Sequence, residues 1–259
     1  MRDKSLADCC VLVTRPQTSS GELCNLIEAA GGKAIRFPVL KITARDPKKI
    51  KQEFNVLPQP DIAIFVSRNA VEHGLHILSF EGSKLAAIGP STVAAIRKRG
   101  QQVDIHPSES FDSESLLNHA AMQHVQDRSI LIIRGQSGRE LLGKTLALRG
   151  ANVSYLAVYR REPNKISTKQ IAAFNEAWQS KYIHYVIALS VDTIRNLVKQ
   201  LPPTSHQLLR SSTLVAPSDR VIKIASELLP GITTLLAQGP RATEIIDAIR
   251  NHQQLGQIK

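Results

Sequence analysis

The sequence has few aromatic residues, few cysteines and no long apolar run. Aromatic residues make up only 4% of the 259 positions, whereas proteins that bind nucleic acid by base stacking need aromatic side chains among their basic ones. The 3 cysteines, Cys9, Cys10 and Cys24, have the spacing of neither a disulfide framework nor a metal site. No segment approaches the roughly 20 apolar residues of a membrane span, and no apolar signal sequence opens the chain. We therefore expect a soluble, cytoplasmic protein.

Basic residues outnumber acidic ones, with 33 Lys and Arg against 22 Asp and Glu and a formal net charge of +11. The excess is spread along the chain, and the longest basic run is Arg97, Lys98 and Arg99. A diffuse positive field suits a small polyanionic ligand at least as well as a nucleic acid. The charge also leaves open that the protein is simply basic.

Short apolar runs alternate with segments of helical periodicity, which is typical of βαβ units around a parallel sheet. Most runs stop at Ser, Arg, Gly or Pro, so backbone N–H groups should cluster at the sheet edge where open α/β sheets bind ligands. The predicted strands are 11–14, 34–37, 62–66, 85–88, 103–105, 130–133, 153–156, 185–189, 214–216 and 233–236. The predicted helices are 20–30, 69–77, 91–99, 113–124, 139–148, 169–179, 191–200, 218–229 and 242–251.

One pattern occurs twice in the chain. LVTRPQTSSGELCNLIEAAGGKA (12–34) and LIIRGQSGRELLGKTLALRGAN (131–152) share an apolar run, an Arg, a polar turn, an amphipathic helix and a Gly, in that order. Three further pairs follow in the same order: 61–78 with 184–201, 85–100 with 214–231, and 113–120 with 243–250. Chance similarity of generic βα patterns is the alternative. Four ordered matches nevertheless favour two similar halves.

Two extended segments argue against a simple division at mid-chain. AIRFPVLKI (34–42) and VSYLAVYRR (153–161) occupy equivalent places in the two halves, and both keep apolar alternation beyond the expected end of a strand. Such segments can pair as an antiparallel ladder that joins two lobes. One lobe would then combine the N-terminal βα unit with everything after about residue 160, and the other would hold the middle of the chain.

The set of motifs resembles the uroporphyrinogen-III synthase family. Their order and spacing carry the resemblance, since no single motif is specific: VTRP (13–16), FPVLKI (37–42), IFVSRNAVEH (64–73), AAIGPSTVAAI (86–96), YLAVYRRE (155–162) and ATEIIDAI (242–249). The resemblance implies two flavodoxin-like or Rossmann-like α/β domains with parallel sheets, joined by a two-stranded antiparallel linker. Combined with the ladder, it predicts domain 1 at 1–36 and 160–259, domain 2 at 42–153, and the linker at 37–41 and 154–159.

The resemblance also implies a reaction. Family members cyclise the linear tetrapyrrole hydroxymethylbilane, with loss of water and inversion of the last pyrrole ring through azafulvene and spiro intermediates. The substrate would bind in the cleft between the domains, and its eight carboxylates would explain the positive charge. No cofactor and no metal are expected, nor any nucleic-acid or membrane partner. The resemblance further implies a monomer, and it allows a transient contact with the preceding enzyme of the pathway.

Candidate site residues come from the resemblance and from the strand ends. Tyr159 matches the tyrosine that the family places near the cleft, and its phenol could donate a proton to the departing hydroxyl. Hydroxyl groups, N–H groups and arginines at strand ends could bind carboxylates, and Gly89 to Thr92 resemble the family's Gly-x-x-Thr turn. The substrate-binding candidates are Thr14, Arg15, Ser67, Arg68, Gly89, Ser91, Thr92, Arg134, Ser190 and Ser218.

Each candidate has a plainer interpretation. The serines could simply cap helices, a tyrosine at a strand end is often a packing residue, and surface arginines are usually solvated. In the second half Ala216 and Asp219 replace Gly89 and Thr92, and the acid would repel carboxylates. His73 and His76 lack further metal ligands, and the glycine-rich segment 135–138 lacks the spacing of a nucleotide-binding loop. A non-enzymatic two-lobed receptor for a polyanion and, because of the charge, a nucleic-acid-binding protein remain the alternatives.

Overall fold

A computed structural model describes residues 4–108 and 111–257, and the chain divides into two units. Unit 1 is Met1–Lys41 with Glu162–Lys259, and unit 2 is Ile42–Arg161. The strands are β1 (Cys10–Val13), β2 (Lys33–Arg36), β3 (Leu40–Ala44), β4 (Ile62–Phe65), β5 (Lys84–Ala87), β6 (Ser129–Gly135), β7 (Asn152–Pro163), β8 (Ile183–Ile187), β9 (Thr213–Ala216) and β10 (Thr233–Leu236). The helices are α1 (Gly21–Ala29), α2 (Pro47–Asn55), α3 (Arg68–Ala70), α4 (Pro90–Lys98), α5 (Ser113–Asn118), α6 (Leu141–Leu148), α7 (Thr168–Lys181), α8 (Val191–Gln200), α9 (Pro203–Arg210), α10 (Asp219–Leu228) and α11 (Ala242–Gln257). A π-helical turn (Val71–Leu75) follows α3, and 3-10 turns occupy Gln17–Ser19 and Ala120–Met122.

Unit 1 contains a parallel sheet in the order β2-β1-β8-β9-β10. Numbered along the chain within the unit, this order is 2-1-3-4-5, which is that of flavodoxin-like sheets. Both faces are covered, because Leu12 on β1 packs into one apolar cluster while Val11 and Val13 pack into the other. A strand buried on both faces needs apolar residues at consecutive positions, which is why it is visible in the sequence.

Unit 2 contains a second sheet, in the order β3-β7-β6-β4-β5. Its strands β7, β6, β4 and β5 are parallel and repeat the 2-1-3-4 part of the same order. Strand β4 shows the same two-sided burial, with Ala63 and Phe65 in one cluster and Ile62 and Ile64 in the other. The prediction of an α/β fold with two sheets is therefore confirmed.

Strand β3 lies beside β7, near the point in the chain where one unit ends and the other begins. The Asn164 N–H donates to the Val39 carbonyl at 2.9 Å, and the Arg45 N–H donates to the Val158 carbonyl at 3.1 Å. Position 158 pairs with 45 and position 164 pairs with 39, so the partner's number falls as the residue number rises, and the two stretches run antiparallel. The predicted linker boundaries stay predictions.

Helices α2 and α9 occupy segments for which the sequence predicts none. The side chain of Asp46 caps α2 by accepting from the Lys48 N–H at 2.9 Å, and Pro47 is its first residue. The sequence of α2 is polar and has no long apolar stripe, because only Ile50 among its residues is buried and needs to be apolar. Helix α9 starts at Pro203, directly after Pro202, and a pair of prolines is usually typical of a loop.

Other predicted elements are shorter in the structure. Residues 103–105 contribute only an isolated bridge between Ile105 and Ala86, and not a strand. The helix predicted at 113–124 ends at Asn118, because His119 has extended backbone and its ring accepts from the Ala121 N–H at 3.2 Å. Among the described residues, no helix combines the length and the apolar character needed to cross a bilayer.

Candidate functional site

The candidate site lies in unit 2, where the strand order reverses between β4 and β6. Connections leave these strands toward opposite sides, and the crevice beyond their carboxyl ends is the usual ligand site of a doubly wound sheet. Ser67 follows β4, and Gly135 ends β6. Tyr159 reaches the same place from β7, because the pairing of β6 and β7 shifts by one residue after Arg134 and sets Gly135 opposite Tyr159.

Tyr159 and Ser67 are in contact. Their hydroxyl groups share a hydrogen bond of 3.3 Å, in which either can donate, and the Tyr159 side chain is only 3% exposed. Ser67 Oγ also accepts from the Ala70 N–H at 3.2 Å and so caps α3. The capping role and a place in the site are therefore compatible for Ser67. Two residues 92 positions apart, each selected from the sequence for its own reason, meet at one sheet edge.

Gly135 is a site residue that the sequence patterns did not single out. A Cβ atom on it would lie 2.7 Å from Tyr159 Cε2 and 2.8 Å from Cζ, so the phenol ring rests against the glycine backbone. The neighbouring Gln136 N–H donates to the Tyr159 carbonyl at 2.9 Å and fixes the strand beside it. The available signal was the glycine-rich segment 135–138, which does not fit a nucleotide-binding loop but does permit this close approach.

The π-helical turn after α3 forms another wall of the site. Gly74 allows the turn to pack closely on the sheet, since a Cβ there would lie 3.2 Å from both Ile133 and Val158. The His73 ring lies beside the Tyr159 ring, with centroids 6.1 Å apart at 44°. Burial lowers the pKa of His73, and the Glu72 carboxylate opposes this by a smaller amount. The imidazole is therefore neutral at pH 7.

Arg68 lies at the start of α3, but its positive charge is partly neutralised by an ion pair. Its Nε donates to Glu72 Oε1 at 2.6 Å in an i,i+4 ion pair. Together with Ser91 on α4, these two residues line a groove of about 490 Å³ whose far end carries Lys98 and Arg99. The groove has an excess of positive charge and can accept a carboxylate.

The corner from Gly89 to Thr92 starts α4. The Gly89 carbonyl accepts from the Thr92 and Val93 N–H groups at 2.9 and 3.0 Å, and Ser91 is exposed. Thr92 is buried, so its hydroxyl is withdrawn from the rim. Gly89 has extended backbone, and a Cβ there would meet Phe111 Cβ at an ordinary contact distance of 3.8 Å, so neither its conformation nor close packing demands glycine.

In unit 1 the equivalent strand ends are those of β1 and β8. Thr14 is fully buried, and its hydroxyl donates to the Ile187 carbonyl, which ties the two strand ends together. Ser190 Oγ accepts from the Thr193 N–H at 3.2 Å and caps α8. Ser218 starts α10 without a side-chain cap bond.

Arg15 is the cation at this edge of unit 1. Burial lowers the pKa of its guanidinium, and Glu22 opposes this by a smaller amount. Within the described residues its side chain has no hydrogen-bond partner, so its donors are free for an anionic ligand.

Arg134 is not brought to Tyr159 and Ser67. Its guanidinium lies 5.2 Å from the centre of the Tyr155 ring and donates to the Arg139 carbonyl at 3.3 Å. Arg134 lines a cavity of about 630 Å³, which Gly135 also borders and which contains the paired side chains of Arg45 with Glu53 and Lys144 with Glu140. Gly135 therefore borders both this cavity and the Tyr159 ring.

A doubly wound sheet with a phenol and a hydroxyl at its switch point defines an α/β protein with a small-molecule site. A family model described as uroporphyrinogen-III synthase HemD matches residues 21–246. The uroporphyrinogen-III synthase of Escherichia coli K12 is 29% identical over 227 residues, covering 84% of this chain and 91% of that protein.

Solved structures agree on the fold. The uroporphyrinogen-III synthetase of Helicobacter pylori has a TM-score of 0.60 at 14% identity and covers 94% of this chain and 99% of that one. A mutant uroporphyrinogen III synthase of Thermus thermophilus has a TM-score of 0.57 at 16% identity and covers 95% of this chain and 99% of that one. The chain belongs to the uroporphyrinogen-III synthase family, the cyclising lyases of tetrapyrrole and heme biosynthesis. The resemblance noted from the sequence is confirmed.

Proposed function

We propose that this chain cyclises hydroxymethylbilane with loss of water and inversion of the last pyrrole ring, and that Tyr159 donates a proton to the leaving hydroxyl. The family assignment supports the overall reaction. The observation that carries the proposed role of Tyr159 is its hydrogen bond to Ser67 at the switch point of unit 2. A neutral phenol donates well at pH 7, and Ser67 can accept or supply a proton as the bond reorganises.

In the proposed first step, the bond between the hydroxymethyl carbon and its oxygen breaks, and both electrons stay on oxygen. The oxygen takes the Tyr159 proton and leaves as water. The adjacent pyrrole nitrogen stabilises the carbon as an azafulvene, and the last ring then attacks through its substituted carbon to form a spiro intermediate. Rearrangement of that intermediate inverts the ring. Because the pyrrole already activates the leaving group, we expect the proton donor to supply about 10²-fold, the lower end of the usual range.

Positioning would supply the larger part of the rate and all of the regiochemistry. Holding the substituted carbon of the last ring near the azafulvene makes the required attack effectively intramolecular. Carboxylates of the substrate would be held by the free guanidinium of Arg15, by Arg68, and by the exposed hydroxyl and N–H groups at Ser91. The buried hydroxyls of Thr14 and Thr92 are less suited to this task.

We propose that segments 37–41 and 154–159 connect the two units as a two-stranded linker, supported by the antiparallel bonds around Val39 and Val158. The cytoplasmic location, the monomeric state and action without a cofactor stay predictions.

The regiochemistry of the product tests the function directly. Purified protein is given freshly made hydroxymethylbilane, the product is oxidised, and the porphyrin isomers are separated beside a buffer blank. The blank closes the ring without inversion, so the inverted type III isomer is the expected result. Only the uninverted isomer, at the blank's rate, would overturn the proposal. Tight binding without conversion would instead favour the polyanion receptor.

A further inference from the structure

His73 is a titratable group of the site to which the proposed reaction assigns no role. The π-helical turn that carries it is held at one end by the Ser67 cap and is packed on the sheet through Gly74. π-helical turns are rare in proteins as a whole, and those that occur are often found at functional sites. The His73 ring is consequently held beside the Tyr159 ring.

His206 and His252 use their ring nitrogens for structure, and His73 does not. His206 Nε2 lies 3.0 Å from the Val198 carbonyl and bridges elements of unit 1. His252 Nδ1 lies 2.9 Å from the buried Tyr185 hydroxyl. Within the described part of the chain, the His73 nitrogens have no hydrogen-bond partner, and the side chain contacts the Tyr159 ring. Its nitrogens are therefore free to exchange a proton.

The reaction both uses a proton and releases one. The product is the substrate minus one water: the oxygen and one hydrogen come from the hydroxymethyl group, and the other hydrogen comes from carbon. That carbon is the unsubstituted one of the last ring, whose C–H bond breaks with its electron pair remaining in the pyrrole. A base must take this proton. The phenolate left on Tyr159 is one such base, and a neutral imidazole beside it is a second, which can take the proton and return it to the phenolate.

We propose that the His73 imidazole is this acceptor, paired with the Tyr159 phenol as donor. The imidazole takes the proton released from carbon as the pyrrole regains its aromaticity, and this proton replaces the one that Tyr159 gave to the leaving water. The inference rests on the proposed function, and it adds a second titrating residue to the site.

The charges around the turn set the pH dependence. Glu72 and His76 lie on the turn or directly after it, Arg68 lies on α3 and pairs with Glu72, and Tyr159 faces it from β7. Helix α4 and its end add Lys98 and Arg99 along the groove that Glu72 lines. Burial, and to a smaller extent His76, lower the pKa of His73, while Glu72 raises it. The base is therefore active at neutral pH, and it is lost on acidification below the ordinary histidine value near 6.5.

The experiment measures the rate of formation of the type III isomer between pH 5 and pH 8, after subtraction of the blank. His73→Gln removes the base, and His73→Phe also removes it but keeps a ring against Tyr159. Each variant is expected to lower kcat by about 10²-fold at pH 7, with thermal unfolding near that of the wild type. Each should also lose the acid limb of the pH profile, while Tyr159→Phe should be slow but keep it. The exposed neighbour His76 supplies the matched control. His76→Gln should retain the wild-type rate at pH 7 and keep an acid limb, which moves to slightly higher pH because the His76 charge no longer opposes protonation of His73.

The outcomes separate this inference from the function on which it rests. A wild-type product without the type III isomer removes the function. Formation of that isomer with an unchanged rate and acid limb in His73→Phe overturns the role of His73 alone. A slow His73→Phe that keeps the acid limb also overturns it, because the ring would then act only through packing.

Discussion

Units 1 and 2 share their strand order but differ at the place where that order reverses. In unit 1 the ends of β1 and β8 are tied together by Thr14, whose hydroxyl donates to the Ile187 carbonyl. In unit 2 the corresponding ends of β4 and β6 hold the Tyr159 ring against Gly135. Both units have a corner where the strand order reverses. The Thr14 side chain ties the strand ends together in unit 1, whereas the corner of unit 2 holds Tyr159, the proposed proton donor.

The equivalent serines show the same difference. Ser67 and Ser190 both follow a central strand and both cap the next helix. The second partner of Ser190 is Thr193 on its own helix, at 2.8 Å, whereas that of Ser67 is Tyr159 on another strand. Both serines therefore cap a helix, and Ser67 in unit 2 also lies in the candidate site.

The strongest test of the comparison is Gly135→Ala. A methyl group there would overlap the Tyr159 ring at 2.7 Å and would force the phenol away from Ser67. We expect kcat to fall by about 10²-fold or more, since a displacement of roughly 1 Å at a site can cost that much. The measurement is the rate of type III isomer formation by folded protein.

Gly138→Ala is its matched control. A Cβ there meets only the far end of the flexible Arg134 side chain, at 2.7 Å, which can move aside. We expect a rate close to that of the wild type. Equal rates for the two alanine variants would show that the position of Tyr159 does not matter.

Tyr159→Phe tests the phenol itself. The ring and its packing stay, and the hydroxyl is lost, so we expect kcat to fall by about 10²-fold with little change in KM. Tyr155→Phe, on the same strand but 43% exposed, is the control and should be nearly as fast as the wild type. An unchanged rate in Tyr159→Phe would leave unit 2 without its proposed donor.

Ser67→Ala and Ser190→Ala compare the two caps. Each should lower the free energy of unfolding by about 1 kcal/mol through loss of a helix cap. Ser67→Ala should additionally lower kcat about 5-fold, the equivalent of one ordinary hydrogen bond of about 1 kcal/mol. Urea denaturation and isomer assays on both variants check this. Equal loss of activity would mean that Ser67 acts only as a cap.

Much of the fold could be predicted from the sequence because the central strands are buried on both faces and so form continuous apolar runs. Helix α2 could not, since it buries only Ile50, and its Asp46 cap and Pro47 start mark a helix that periodicity misses. Segment 103–105 was predicted as a strand, yet it forms only one isolated bridge with the edge strand β5, because the Asp104 side chain accepts from the Leu85 N–H at 2.7 Å in place of a backbone carbonyl.

The site could be predicted only in part. Ser67 could be selected as a neighbour of a sheet edge and Tyr159 from the family resemblance, but their contact depends on the register shift after Arg134, which no local pattern reveals. His73 was predicted to lie on an ordinary helix, and the π-helical turn that places it beside Tyr159 depends on close packing at Gly74.

Thr14→Val gives the smallest expected effect on turnover and asks whether the corner of unit 1 is purely structural. The variant leaves the buried Ile187 carbonyl without its side-chain donor, so we expect the free energy of unfolding to fall by about 1–3 kcal/mol. Ser212→Ala is a matched control, because the Ser212 hydroxyl donates in the same way to the Ile183 carbonyl at the other end of β8. If the bond of Thr14 serves stability alone, both variants should lose stability while keeping kcat close to that of the wild type. A fall in kcat for Thr14→Val alone, at equal stability, would mean that this corner also contacts substrate and that the contrast between the two units is weaker than their geometry indicates.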